Sequence, residues 1–251
     1  MSEAAPHALV MTARSLRLSR RNTDALITGL ALPVMLLLIF VYFFGGSINT
    51  GTEYVTYVVP GVLLLCAGFG SANTAIAVTE DLKGGIIDRF RSLDVGGVPI
   101  LAGHVIASAV RNAIATTLVL GLAFAIGFRP TATPAGWLAA AGILLAFILA
   151  LSWLSAMVGL LATSPEAAGG FTFFVSFLPY PSSAFVRTDT MPGWLQPFAD
   201  NQPVTPVIDS LRGLLLNEPT GSTPWVALAW CAAILGGSAA LSGTLFRRRS
   251  R

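Results

Sequence analysis

Residues 130–165 read PTATPAGWLAAAGILLAFILALSWLSAMVGLLATSP, without one Asp, Glu, Lys or Arg. About 20 mostly apolar residues in a helix cross the hydrocarbon layer of a bilayer, so this stretch predicts a membrane-spanning helix. Five more charge-free runs flank it: 25–52, 54–79, 112–128, 167–186 and 219–246. Only 112–128 is short, and it extends back through Arg111 towards Leu101. Across the 251 residues, 54% are hydrophobic and 11% charged, against about 25% charged in a soluble domain. The expected fold is an all-α integral membrane protein with six transmembrane helices, and no part reads as a soluble domain. The opening resembles a signal peptide, but no small-residue cleavage site follows 25–44, so it reads as a retained helix.

Charge placement orients the chain. Six spans put both termini on one side. Eleven of the fifteen basic residues fall there: Arg14, Arg17, Arg20 and Arg21, then Lys83, Arg89 and Arg91, then Arg247, Arg248, Arg249 and Arg251. Arg129, Arg187 and Arg212 fall on the other side. The positive-inside rule makes both termini cytoplasmic. Tyr42, Phe43, Phe44, Tyr54, Tyr57, Trp137, Trp194 and Trp225 gather at the expected outer boundary, where amphipathic rings favour the headgroup zone. The net charge of +3 is a topology signal, and the dispersed basic residues do not form a nucleic-acid surface.

Four segments lie outside the spans. Residues 1–24 are a cytoplasmic N-terminal segment. Within it, 7–21 reads either as an amphipathic helix on the inner leaflet or as a plain basic flank. The loop 80–99 is the longest cytoplasmic connection. Ile86, Ile87, Phe90 and Leu93 make one apolar face at helical spacing, with Asp88, Arg89 and Arg91 pointing elsewhere. Gly84-Gly85 opens this short amphipathic helix and Gly96-Gly97 with Pro99 closes it. It either rests on lipid or docks in a partner's groove, with Glu80, Asp81, Arg89 and Arg91 setting orientation. The outer stretch 187–218 is broken by prolines. Val204, Val207, Ile208, Leu211 and Leu215 recur at helical spacing, and Asp209 and Arg212 stand one turn apart to pair. It reads as a re-entrant helical segment before the last span. Residues 247–251 form a cytoplasmic basic tail.

Chemistry of its own is hard to find in the chain. Its one lysine, Lys83, lacks the glycine spacing of a nucleotide-binding loop. Gly68-Phe69-Gly70-Ser71 suggests a nucleophile only superficially, since small residues in membrane helices usually serve packing. Cys66 and Cys231 sit in apolar runs and read as packing thiols, with no metal-binding pattern. No acids sit mid-membrane for a coupled carrier. Arg111 is the one strong charge well inside a span, either functional or snorkelling. The rings of Phe171, Phe173, Phe174, Phe177 and Tyr180 make the fifth span aromatic, which suits either a flat apolar ligand or ordinary packing.

Several pieces together resemble the permease of type-2 ABC exporters, of the daunorubicin-resistance type. They are Arg20-Arg21-Asn22 before a first span ending Tyr42-Phe43-Phe44-Gly45-Gly46, Tyr57-Val58-Val59-Pro60-Gly61 opening the second, and the stretch from Glu80 to Leu93. Gly127-Phe128-Arg129-Pro130, Asp189-Thr190-Met191-Pro192-Gly193-Trp194-Leu195, Asn201-Gln202-Pro203-Val204-Thr205 and Asp209-Ser210-Leu211-Arg212 follow in the same order. Asp94-Val95-Gly96-Gly97-Val98-Pro99 departs from the pattern at the end of the coupling helix. The resemblance implies one transmembrane permease domain over 1–251 in a bacterial cytoplasmic membrane. It also implies a homodimer with two copies of a cytoplasmic ABC ATPase, which binds ATP and Mg, so that this chain holds no cofactor. Residues 80–99 would be the coupling loop, and a drug, antibiotic or lipid-like compound would leave along an interface of the first and fifth spans. A glycan or lipid-linked substrate, or a stand-alone membrane enzyme or channel, are the other readings.

Overall fold

The structure, a computed structural model, describes residues 23–48, 50–85 and 97–248. Among these, every regular element is helical. Helix α1 (Thr23–Ile39) runs on into a wider π-helical turn, Phe40–Phe44. Then come α2 (Tyr54–Lys83), α3 (Gly97–Ala125), α4 (Pro134–Leu161), α5 (Pro165–Phe177), α6 (Gln196–Asn201), α7 (Val204–Leu216) and α8 (Thr223–Arg248). Four stretches are long and apolar enough to cross a membrane: Tyr54–Lys83, Ile100–Ala125, Pro134–Leu161 and Thr223–Leu245; Leu30–Phe44 is a shorter apolar helix. The fold is thus an all-helical, multi-pass membrane bundle.

Helix α2 is the axis of this bundle. Val58, Val59, Val62, Leu64, Leu65 and Ala67 are wholly buried, although all lie in a run that is apolar all round. Small residues let its neighbours approach. A Cβ on Gly159 of α4 would come within 2.5 Å of the Ala75 carbonyl oxygen, and Thr79 Oγ1 donates to the Gly159 carbonyl at 3.0 Å. Such close backbone packing is the main attraction between helices in lipid, where no hydrophobic drive exists. Helix α3 turns the other way. Ile106, Val110, Ile114 and Leu118 are exposed at four-residue spacing, a continuous apolar stripe.

The run 167–186 does not form one helix. Helix α5 has thirteen residues, about 20 Å at 1.5 Å each, and residues 178–186 continue as turns. Pro179 and Pro181 supply no N–H to extend it. The turns lie on the bundle: Gly61 of α2 leaves room for the Ala184 backbone, and Tyr54 Oη donates to the Phe185 carbonyl at 3.0 Å. Helix α7 has the apolar register expected of it, with Val204, Val207, Ile208, Leu211 and Leu215 all buried. It ends at Asn217 in the left-handed region, φ 55°, with Glu218 N–H donating to the Gly213 carbonyl at 2.8 Å, a common helix stop.

Candidate functional site

Three places hold polar or aromatic groups that packing alone does not demand. The first is the end of the bundle where α2 stops and α3 starts. Ile86, Ile87, Arg89, Phe90, Arg91 and Leu93, the expected coupling helix, lie outside the described residues, as do the 7–21 segment and residues 249–251. Glu80 and Asp81 are described. Glu80 is exposed on α2, whereas Asp81 is buried. Its Oδ2 lies 3.1 Å from His104 Nε2 on α3. The approach is close enough for an ion pair but is not aligned as a hydrogen bond. Val78, Leu101, Val105, Ala156 and Leu160 form an apolar cluster beside it. Arg111 sits half-buried farther along α3. Glu166 follows the Ser164 cap of α5, which accepts from Ala167 N–H. The Ser164 hydrogen bond holds the Glu166 carboxyl below the usual carboxylate range.

The second place is a polar seam at the centre. Ser71 of α2, Ser108 and Asn112 of α3 and Ser152 of α4 have no exposed surface. Asn112 Nδ2 donates to Ser71 Oγ at 3.2 Å and to the Ser108 carbonyl at 3.0 Å. Ser152 Oγ lies 2.9 Å from Ser108 Oγ and 3.2 Å from Ser71 Oγ. The seam joins three spans, so Ser71 is a packing hydroxyl in company and no nucleophile beside a base. The residue reading did not pick out this seam. The available signal was Ser108 and Asn112 four apart in an apolar run, and only the fold brings Ser71 and Ser152 to them.

The third place is the far end. Arg212 Nη1 meets Asp209 Oδ1 at 2.8 Å, and Nη2 donates to the Ser183 carbonyl at 2.6 Å. Its guanidinium lies 3.8 Å from the centre of the Tyr57 ring, within cation–π range. Ser183 Oγ donates to Asp209 Oδ1 at 2.6 Å. Arg187 grips Asp189 with two bonds, 3.1 and 2.6 Å. That hydrogen bond keeps the Asp189 carboxyl below, and the Arg187 guanidinium above, their ordinary ranges. A cavity of about 380 Å³ opens here, lined by Tyr57, Arg187, Asp189, Asp209, Arg212 and Glu218 among others.

Between the two ends runs a chain of rings. Phe173 and Phe177 stand 4.6 Å apart, Phe177 and Tyr180 5.4 Å, Tyr180 and Phe185 5.3 Å, Phe185 and Phe40 4.1 Å, and Phe40 and Phe44 5.6 Å. The ridge joins α5 to α1. Phe43, Phe173, Phe174 and Phe177 are exposed, while Phe171 packs partly against the core.

The described residues thus form a multi-pass helical bundle with an aromatic ridge and polar groups at both ends, the build of an integral membrane protein. The model of the ABC-2 type transporter family matches residues 7–216. The daunorubicin resistance ABC transporter permease protein DrrB1 of Streptomyces coeruleorubidus is 31% identical over 223 residues, covering 87% of this chain and 78% of the relative. The probable doxorubicin resistance ABC transporter permease protein DrrC of Mycobacterium tuberculosis is 26% identical over 234 residues, covering 90% and 83%. This chain belongs to the ABC-2 type transporter family. It is the membrane permease subunit of an ABC transporter, and ATP hydrolysis falls to a separate ATPase.

Proposed function

We propose that this permease exports a lipophilic compound, of the kind of the daunorubicin and doxorubicin in its relatives' names, outwards across a bacterial cytoplasmic membrane. The ring ridge from Phe173 to Phe44 carries this reading. Stacked or tilted rings favour flat apolar partners, and ligand sites are mostly apolar and aromatic. A solely lipid-facing surface has no need of rings in succession from two helices.

The working assembly is a homodimer facing itself across α1 and α5, with two ATPase copies that bind ATP and Mg. It has six spans per chain: the four long helices, α1 with its π-helical turn, and α5 completed by the turns to Val186. Both termini and the 80–99 loop lie in the cytoplasm. Residues 187–218 re-enter the membrane from outside. Phe90 and Ile87 anchor the loop in the ATPase, and Arg89 and Arg91 orient it. ATP-driven closure of the ATPase pair then moves the bundle through this loop.

The test is reconstitution with the cognate ATPase in liposomes, following daunorubicin fluorescence with ATP. ATP-dependent accumulation that Phe90→Asp abolishes is the expected result. Absence of movement, or movement that Phe90→Asp leaves intact, overturns the reading. Stimulation only by a glycan-bearing lipid assigns that substrate class instead.

A further inference from the structure

Asp81 is the third residue from the end of α2, and His104 lies two turns into α3. They stand on two legs, the end of α2 and the start of α3, which are consecutive helices in the chain. Both side chains are largely buried, 12% and 7% exposed, with 3.1 Å between carboxylate and imidazole. Val78, Leu101 and Val105 pack between the legs beside the pair. Apolar contact is non-directional and permits sliding and rotation. A buried carboxylate set against an imidazole does not, because separating the two takes a favourable polar contact away from groups that water does not reach. Buried polar pairs are best attested as devices that set register between helices.

We propose that Asp81 and His104 are a positioning pair that locks α2 to α3, so that a push on the connection between these helices moves both as one rigid unit. The inference rests on the reading above that this loop receives the ATPase's motion. It differs from a docking role, since the Asp81 carboxylate faces α3 inside the bundle and exposed Glu80 is the neighbour left facing outward. The pair stays closed through the cycle. Without it the loop still binds the ATPase, but the motion is lost as rotation of one leg against the other.

The experiment uses the complete complex in liposomes and measures drug moved per ATP hydrolysed. Asp81→Asn and His104→Gln should each lower that ratio about tenfold, within the range single substitutions in coupling elements produce. Co-purification with the ATPase and ATP turnover should persist. The exchanged pair, Asp81→His with His104→Asp, should recover part of the ratio, which a loss of general stability would not allow. As a second arm, Asp81→Cys with His104→Cys, on a background with Cys66 and Cys231 replaced by Ala, is bridged by a short bis-thiosulfonate reagent. Transport per ATP should be low in the reduced protein, rise on bridging and fall again with reductant. An unchanged ratio in the single variants, or loss of transport on bridging, overturns the positioning role. If the wild-type complex moves no compound with ATP, the exporter reading itself fails, and the pair's role fails with it.

Discussion

The carboxamide of Asn112 occupies the space where Gly70 would carry a side chain. A Cβ at position 70 would collide with Asn112 Oδ1, its carbonyl carbon and Nδ2. The hydrogen of glycine leaves room there, and that is what allows α3 to deliver Asn112 to Ser71 of α2. A glycine and an asparagine 42 positions apart in sequence thereby set the depth at which two spans cross.

Gly70→Ala is expected to destabilise the bundle by about 1–3 kcal/mol, the usual cost of overpacking. The displaced amide also loses its bonds to the serines. Thermal unfolding of the purified chain in detergent measures this. Pairing Gly70→Ala with Asn112→Ala frees the space, so the two costs should be less than additive. Unfolding of Gly70→Ala at the wild-type temperature would show that the helices cross elsewhere.

Arg212 makes three kinds of contact at the far end, and they differ in weight. Its side chain is 13% exposed, whereas that of Asp209 is 41% exposed. The ion pair is therefore screened and worth about 0–1 kcal/mol. The bond to the Ser183 carbonyl and the ring contact with Tyr57 lie deeper, and a charged hydrogen bond contributes about 1.5–3 kcal/mol. Asp209→Asn should cost less stability than Arg212→Lys, because lysine has no planar fork to reach a carbonyl while stacking on a ring. Protease protection of residues 187–218 gives the ranking, and the reverse order would refute it.

The homodimer proposal predicts a specific cross-link. Phe43 and Phe174, chain neighbours of the ridge residues Phe44 and Phe173, are exposed at 78% and 68%. Phe43→Cys and Phe174→Cys, made singly with Cys66 and Cys231 replaced, should yield a covalent dimer with a short thiol reagent in native membranes. Cysteine at Ile114, on the exposed stripe of α3, should not. Equal yields at all three positions would mean random collision.

Acid should loosen the turn at 187–190 before it affects the spans. Asp189 is held below its ordinary range, first by the Arg187 hydrogen bond. A carboxyl with a depressed pKa contributes its stability above the unfolded value, near 3.9, and loses it as pH falls through the lower folded value. Cleavage near Arg187 by an acid-tolerant protease should therefore rise only below about pH 4, and Asp189→Asn should already be susceptible at neutral pH. Equal susceptibility of both proteins at neutral pH would show that the grip does not hold the turn.

Much of the bundle was legible from charge spacing alone. The short run 112–128 read as extending back towards Leu101, and α3 begins at Gly97. The apolar register from Val204 to Leu215 matches a buried helix face. The run 167–186 shows the limit of the method. Freedom from charge reports what lipid tolerates, not where a helix stops, and Pro179 and Pro181 break α5 within an unbroken apolar run.

From the residues alone came the solvent of this protein and the kind of element it builds, because charge in hydrocarbon is costly enough to be read one position at a time. Tertiary structure alone decided which polar side chains meet: Ser71 with Asn112 and Ser152, Arg212 with Tyr57 and Ser183, and Asp81 with His104. These encounters depend on how closely and at what rotation two helices approach. That is set by the summed fit of many small side chains, such as Gly70, Gly61 and Gly159, and no single residue in the chain announces it.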